Sequence, residues 1–175
     1  MALLIVVTGP PGAGKSTVAR ALADEFDRGA LIEGDAFFAF VARGAIVPWL
    51  PTAHAQNEVV TRAAAAAAGG YAAGGYDTVY DGVVGPWFLT AFAAAAGVQC
   101  LHYAVLLPPA GQCLERVASR TGHGFTDQAA ARHMYEEFAS SAIDPRHVLP
   151  NPPQEASQTA REILRRTRAG TLSYP

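Results

Sequence analysis

A three-layer α/β/α fold, with a five-stranded parallel sheet between two layers of helices, is predicted by three features of the sequence. Strand-like apolar runs alternate with helix-length segments along the whole chain, the pattern of a parallel sheet covered on both faces. The first run, Leu3 to Val7, is continuous and rich in β-branched residues, so it reads as a strand buried on both sides. It leads directly into Gly9-Pro10-Pro11-Gly12-Ala13-Gly14-Lys15-Ser16 and then Thr17, a gapless match to G-x-x-x-x-G-K-[ST].

The elements follow in order. Ser16 to Phe26 has helical periodicity, and Asp27-Arg28-Gly29 closes the first strand–loop–helix unit. Ala30 to Ile32 is a short second strand ending in Glu33-Gly34-Asp35, and Ala36 to Arg43 reads as a helix with Phe37, Phe38 and Phe40 on it. A loop over 44–51 carries Pro48, Trp49 and Pro51. Thr52 is placed to cap a helix from about Ala53 to Ala68 or Tyr71, whose alanine tract is strongly helix-forming. Gly69-Gly70 and Gly74-Gly75 are expected to loosen or end it. Thr78 to Asp81 is the third strand, Gly82 to Pro86 a loop, Trp87 to Ala96 a helix and Val98 to Leu107 the fourth strand. Pro108-Pro109 opens a helix to about Arg120, since a first turn tolerates proline. Thr121 to Phe125 is a joint, a helix capped by Thr126 or Asp127 runs to about Ser140, and His147 to Leu149 is the fifth strand. Asn151-Pro152-Pro153 leads into a last helix ending near Arg168.

Composition narrows the class. At 175 residues, 50% hydrophobic and 16% charged, the chain is globular and is read as a single domain over residues 1–175. A net charge of −2 gives no reason to expect nucleic acid or an anionic membrane as partner. Cys100 and Cys113 form no metal or disulfide pattern and read as buried small hydrophobes. No uninterrupted stretch of 18 apolar residues occurs, and a strand starting at about residue 2 leaves no room for a cleaved leader. The expected compartment is the cytoplasm.

The glycine loop carries the most specific chemistry. Backbone N–H groups from Gly12 to Ser16, together with the positive end of the following helix, suit one anion. Of 13 basic residues, 12 are arginine and the only lysine is Lys15. A compact ammonium fits between phosphate oxygens in a way that a planar guanidinium does not. Lys15 is therefore placed on the β- and γ-phosphates of a nucleotide and the Ser16 hydroxyl on Mg²⁺. One lysine, already in this loop, rules out the Asn-Lys-x-Asp base reader of a GTPase. The length and the lack of paired acids after a hydrophobic strand argue against a motor or AAA+ machine.

On this motif, the chain size and the residues below, the sequence resembles the nucleoside-monophosphate-kinase-like group of small P-loop kinases. Within it, the resemblance is to chloramphenicol phosphotransferase, gluconate kinase and shikimate kinase types. It implies a P-loop NTPase fold of strand order 2-3-1-4-5, a short lid over about 116–140, and ATP with Mg²⁺. It further implies that nucleotide contacts come from Gly9, Gly12, Ala13, Gly14, Lys15, Ser16 and Thr17.

Glu33-Gly34-Asp35 ends the second strand, where open α/β sheets place ligands. Relatives put an aspartate here against the acceptor hydroxyl, so Asp35 is the candidate to orient it or take its proton. A helix N-cap is the other reading for Asp35, and Glu33 either meets Mg²⁺ through water or is solvated. Asp81 stands in the place of a reduced Walker B acid, with metal and acceptor contact both open, and Gly82 begins a loop that presents backbone to the acceptor. Arg116 and Arg120 share a helix face four residues apart; the resemblance assigns Arg116 to adenine and Arg120 to the transferring phosphates. Asn151 and Pro152 fall where the group wraps adenine. His123 is expected to be exposed, and the arginines of the last helix to form a solvated face, with Glu162 paired to Arg166.

Acceptor contacts are expected from Phe38, Trp49, Arg62 and Trp87, with Phe37, Phe40, His54, Asn57 and Glu58 nearby. Aromatic walls with few cations suit a modestly apolar acceptor better than an anionic one. The reading is an ATP-dependent kinase acting on a hydroxyl of a small molecule such as an antibiotic or a biosynthetic intermediate. Its alternatives are a sugar-acid, nucleotide or zeta-toxin-like sugar-nucleotide kinase, and a non-catalytic nucleotide-gated binding protein.

Overall fold

The computed structural model describes residues 2–119, 125–150 and 155–175. Strands β1 (Leu4–Thr8), β2 (Gly29–Glu33), β3 (Asp77–Asp81), β4 (Leu101–Leu106) and β5 (Val148–Leu149) form a parallel sheet in the order β2-β3-β1-β4-β5. This is the predicted order, with β1 at the centre. A sixth strand, β6 (Ser173–Tyr174), pairs antiparallel with β4 through Leu101↔Tyr174 and His102↔Ser173. Two residues carry no periodicity, so β6 leaves no trace in the sequence pattern.

Side-chain alternation along the strands builds the two sides of the core. Leu4 and Val6 of β1, Tyr80 of β3 and Tyr103 and Val105 of β4 face one layer. That layer holds α2 (His54–Ala73) and α3 (Pro86–Ala96). Ile5 and Val7, Val79, and Ala104 and Leu106 face the other, with α1 (Lys15–Ala23) and α6 (Ala156–Arg168). Every residue of β1 is buried, at roughly 1.5–3 kcal/mol for each large apolar side chain.

Several local expectations change: Cys100, read as buried, is exposed, and Thr52 lies in a 3₁₀ turn, Pro51–Ala53, and does not cap α2, which has no side-chain cap. Residues 34–40 form a 3₁₀ segment, Gly34–Phe40, rather than an α-helix. Three aromatics in so short a run favour neither helix nucleation nor propagation. Helix α2 continues through Gly69-Gly70 to Ala73 and ends at Gly74, so these glycines do not break it. At Gly69 a Cβ would run into the Ala96 carbonyl, which shows that α2 and α3 need a glycine where they approach. Small residues Ala64, Ala65 and Ala68 line the same face against Phe88, Leu89 and Phe92.

Between strands and helices lie two further segments, α4 (Ala110–Ala118) and α5 (Gln128–Ser140). Asp127 caps α5 as predicted, accepting from the N–H groups of Ala129 and Ala130. Among the described residues no helix is long and apolar enough to cross a membrane.

Candidate active site

The site forms where β1, β2 and β3 end. Parallel register sets Asp81 level with both Val7 and Glu33, so the start of the glycine loop and two acids share one row at the carboxyl edge of the sheet. Gly12 and Gly14 have φ of 80° and 90°, values that L side chains rarely adopt. Gly12 is also pressed against the backbone of Cys113 on α4, where a Cβ would meet the carbonyl. Gly14 is the N-cap of α1 and contributes no side-chain cap, and the first turn holds no acid. The helix terminus therefore meets an anion with its own N–H groups and partial positive charge.

Within the loop, the Ala13 N–H donates to the Pro10 carbonyl at 3.2 Å, so this member of the expected donor run serves the turn itself. Lys15 Nζ donates to the Pro10 carbonyl at 3.1 Å, which arches the lysine back over the loop. Ser16 and Thr17 are exposed at the start of α1. Burial pushes the Asp81 carboxyl up from its ordinary range, while a hydrogen bond with the Ser16 hydroxyl and the charge of Lys15 pull it back down. Asp35 and Glu33 raise it further. Lys15, Ser16 and Asp35 thus all bear on the Asp81 carboxyl.

Asp35 is exposed in the first turn of the 3₁₀ segment. Glu33 is occupied by Arg20, 2.9 Å away, an exposed pair that the sequence pattern does not suggest. Arg116 donates to the Gly12 carbonyl at 3.3 Å, which holds the guanidinium against the loop. Gly82 follows Asp81, and its N–H donates to the Val7 carbonyl at 3.4 Å. The loop after Gly82 is fixed by residues that sequence reasoning missed. The Val84 N–H donates to Thr8 Oγ1 at 2.8 Å, and the Val84 carbonyl accepts from the Tyr103 hydroxyl at 2.7 Å. Such partners lie far apart in the chain and give no local signal.

Several acceptor candidates meet as rings. Trp49 packs edge-on against Phe125, with centroids 4.7 Å apart, and so links the loop before α2 to the segment entering α5. His54 stacks on Phe88 at 5.1 Å, and Trp87 meets Phe138 at 5.2 Å. Gln56 accepts from the Ile46 N–H and donates to its carbonyl, both at 2.7 Å. Asn57 donates to the Pro48 carbonyl at 2.7 Å, so α2 staples the loop that carries Trp49. Phe38 is half-buried, whereas Phe40 is 78% exposed. Arg62 stands on the outer face of α2, 4.0 Å from Glu58, an ordinary surface pair. Glu162 pairs with both Arg165 and Arg166, at 2.7 Å each, where the spacing suggested Arg166 alone. Arg120, His123, Asn151 and Pro152 lie outside the described residues.

A phosphate loop on the central strand, a buried acid on the adjacent strand and a second acid one strand further define a P-loop protein with the architecture of small kinases. The chain belongs to the AAA domain family, whose model matches residues 4–145. That span contains the glycine loop, Asp35, Asp81 and Arg116, and β3 ends in the single acid Asp81. Among solved structures it is similar to APS kinase from Mycobacterium tuberculosis in complex with AMPPNP and APS (17% identity, TM-score 0.72, 95% of this chain and 98% of that one). It is similar to the tunicamycin resistance protein of Deinococcus radiodurans (14% identity, TM-score 0.69, 100% and 99%). Shikimate kinase from Acinetobacter baumannii in complex with shikimate also matches (20% identity, TM-score 0.60, 98% and 96%). At these identities the likeness is one of fold. Among curated proteins none matches the chain by sequence.

Proposed function

We propose that this protein is an ATP-dependent phosphotransferase that moves the γ-phosphoryl group to a hydroxyl of a modestly apolar small molecule, such as an antibiotic or a biosynthetic intermediate. The observation that carries this reading is the convergence of Lys15, Ser16 and Asp81 at the uncapped terminus of α1, with Asp35 acting on the same locus. A nucleotide-binding module needs the first three; an acid placed beside them gives an acceptor hydroxyl somewhere to send its proton.

Lys15 holds the β- and γ-phosphates, and Asp35 orients the acceptor and takes its proton as the acceptor oxygen bonds to phosphorus and ADP departs. The Ser16 hydroxyl and the Asp81 carboxylate are hard oxygen donors, few in number, which fits Mg²⁺ brought by the nucleotide with most of its waters. When bound, that ion neutralises charge on the transferring phosphates. In this reading Arg116 serves the nucleotide, Arg120 the phosphates, and Asn151 and Pro152 the adenine, roles that rest on resemblance to small kinases. Trp49, Phe38, Trp87 and the Gly82 loop form the acceptor side. Among the described residues Arg62 is paired with Glu58 on the outer face of α2, and this supports an acceptor without an anionic group. The protein acts in the cytoplasm, without nucleic acid or membrane.

Asp35→Asn tests the assignment. ATP affinity is expected to stay within about twofold while phosphoryl transfer falls by about 10² or more, the range for losing a general base. Unchanged transfer would move the base elsewhere.

A further inference from the structure

Tyr80 has no part in the roles above, yet it sits among them. Its ring is buried in the core, 3% exposed, and packs edge-on against Phe92 at 4.8 Å. Its hydroxyl reaches the carboxyl edge of the sheet between the backbones of Gly34 and Gly82. A Cβ on Gly34 would overlap the Tyr80 oxygen and come within 2.7 Å of Cζ; on Gly82 it would lie 2.8 Å from the oxygen. Neither glycine has a left-handed φ. They are glycines because the phenol occupies the space, and they directly adjoin Asp35 and Asp81 in sequence.

Among the described residues the Tyr80 hydroxyl has no hydrogen-bond partner. It is also not among the fully enclosed atoms that lack one, so the little exposure the residue keeps includes the oxygen. Phenylalanine would fill the core equally well, so packing alone does not call for the hydroxyl. Gly34, Gly82 and the tyrosine together maintain a polar atom that the fold itself does not use.

We propose that the Tyr80 hydroxyl is a specificity-determining donor that binds a neutral oxygen of the acceptor next to the hydroxyl being phosphorylated. The inference rests on the phosphotransferase reading and narrows its acceptor to an alcohol with a second uncharged oxygen nearby, a vicinal diol or its ether. A phenol keeps its proton at neutral pH and so donates, and this one lies beside two carboxylates, since Gly34 and Gly82 against it adjoin Asp35 and Asp81. The same two carboxylates repel an anionic group there, which makes the bound oxygen a neutral one.

The test uses two probes that differ by one oxygen, 1-phenyl-1,2-ethanediol and 2-phenylethanol. Their binding to the full chain with Mg²⁺ and AMPPNP is followed by NMR titration of the Gly34 and Gly82 amide resonances, which flank the hydroxyl in parent and variant alike, and in the unaltered chain of the Tyr80 Cζ resonance as well. The expected result is about tenfold tighter binding of the diol, with the preference abolished in Tyr80→Phe while AMPPNP affinity and Tm are maintained. Equal binding of the two probes, binding of neither, or a preference that survives in Tyr80→Phe overturns the assignment. Should Tyr80→Phe fail to fold, the probe preference and the Cζ shift in the unaltered chain decide alone. Diol binding that depends on Tyr80 but gives no phosphorylated product with ATP leaves this assignment standing and overturns the phosphotransferase reading instead.

Discussion

The Arg116 guanidinium donates a hydrogen bond to the Gly12 carbonyl at 3.3 Å, joining α4 to the phosphate loop across 104 positions of sequence. It also lies 3.7 Å from where a Cβ on Gly14 would stand, so its charge rests on the loop that would hold the nucleotide. Arg116→Ala is therefore expected to weaken ATP binding by about tenfold, as for loss of a charge-assisted contact, with little change in Tm. Calorimetric titration with ATP checks it, and unaltered affinity would remove Arg116 from the nucleotide site.

Gly12→Ala puts a methyl into the Cys113 carbonyl at a φ of 80°. Both strains act at one residue, so a loss of about 2 kcal/mol or more in stability is expected, with ATP binding lost as the loop shifts. Denaturant unfolding measures the first and titration the second. A variant as stable as the parent would show that the loop and α4 do not bear on each other here.

Asp81 offers a prediction of opposite sign. Burial raises its carboxyl above the ordinary value of 3.8, so the folded state holds the proton more tightly than the unfolded state does. Stability at this group is greatest at low pH and declines as pH rises from 3.8 through the elevated folded value. Asp81→Asn removes that decline. Without ligands its Tm should exceed the parent's at pH 7 and converge with it near pH 4, while Mg²⁺-dependent turnover falls. A lower Tm at pH 7 would contradict the sign.

His147 acts at the other end of the pH range. Its ring is buried, with Nδ1 2.9 Å from the Tyr103 carbonyl, and burial lowers its pKa below the ordinary 6.5. A depressed base keeps its full stability above 6.5 and loses it as pH falls through that value toward the folded one. A melting series from pH 8 to pH 5 should show Tm falling below about 6.5, with a shallower fall in His147→Asn. Parallel curves for the two proteins would exclude His147 as the source.

What the sequence made legible was local or periodic. The glycine loop, the lone lysine, the strand alternation and the acids at strand ends all announce themselves within a few residues. Contacts between distant positions do not. Nothing near Tyr80 in sequence shows that Gly34 makes room for its hydroxyl, and nothing near Thr8 shows that it receives the Val84 N–H. The glycine pair at 69 and 70 carries a helix-breaking signal in sequence, which the close approach of α3 at Ala96 overrides. The sequence leaves Glu33 open between a metal-side and a solvated acid, and only the fold brings Arg20 to it, as an exposed pair.

Phosphoryl transfer is tested most directly by one measurement: incubation with ATP, Mg²⁺ and a panel of neutral alcohols, sugars, sugar acids, nucleotides and antibiotics, with products read by mass. A neutral hydroxyl compound carrying one added phosphoryl group, formed by the parent chain and absent with Lys15→Ala, is the result predicted. Tight ATP binding with no phosphorylated product from any compound would contradict it and favour a nucleotide-gated binding protein.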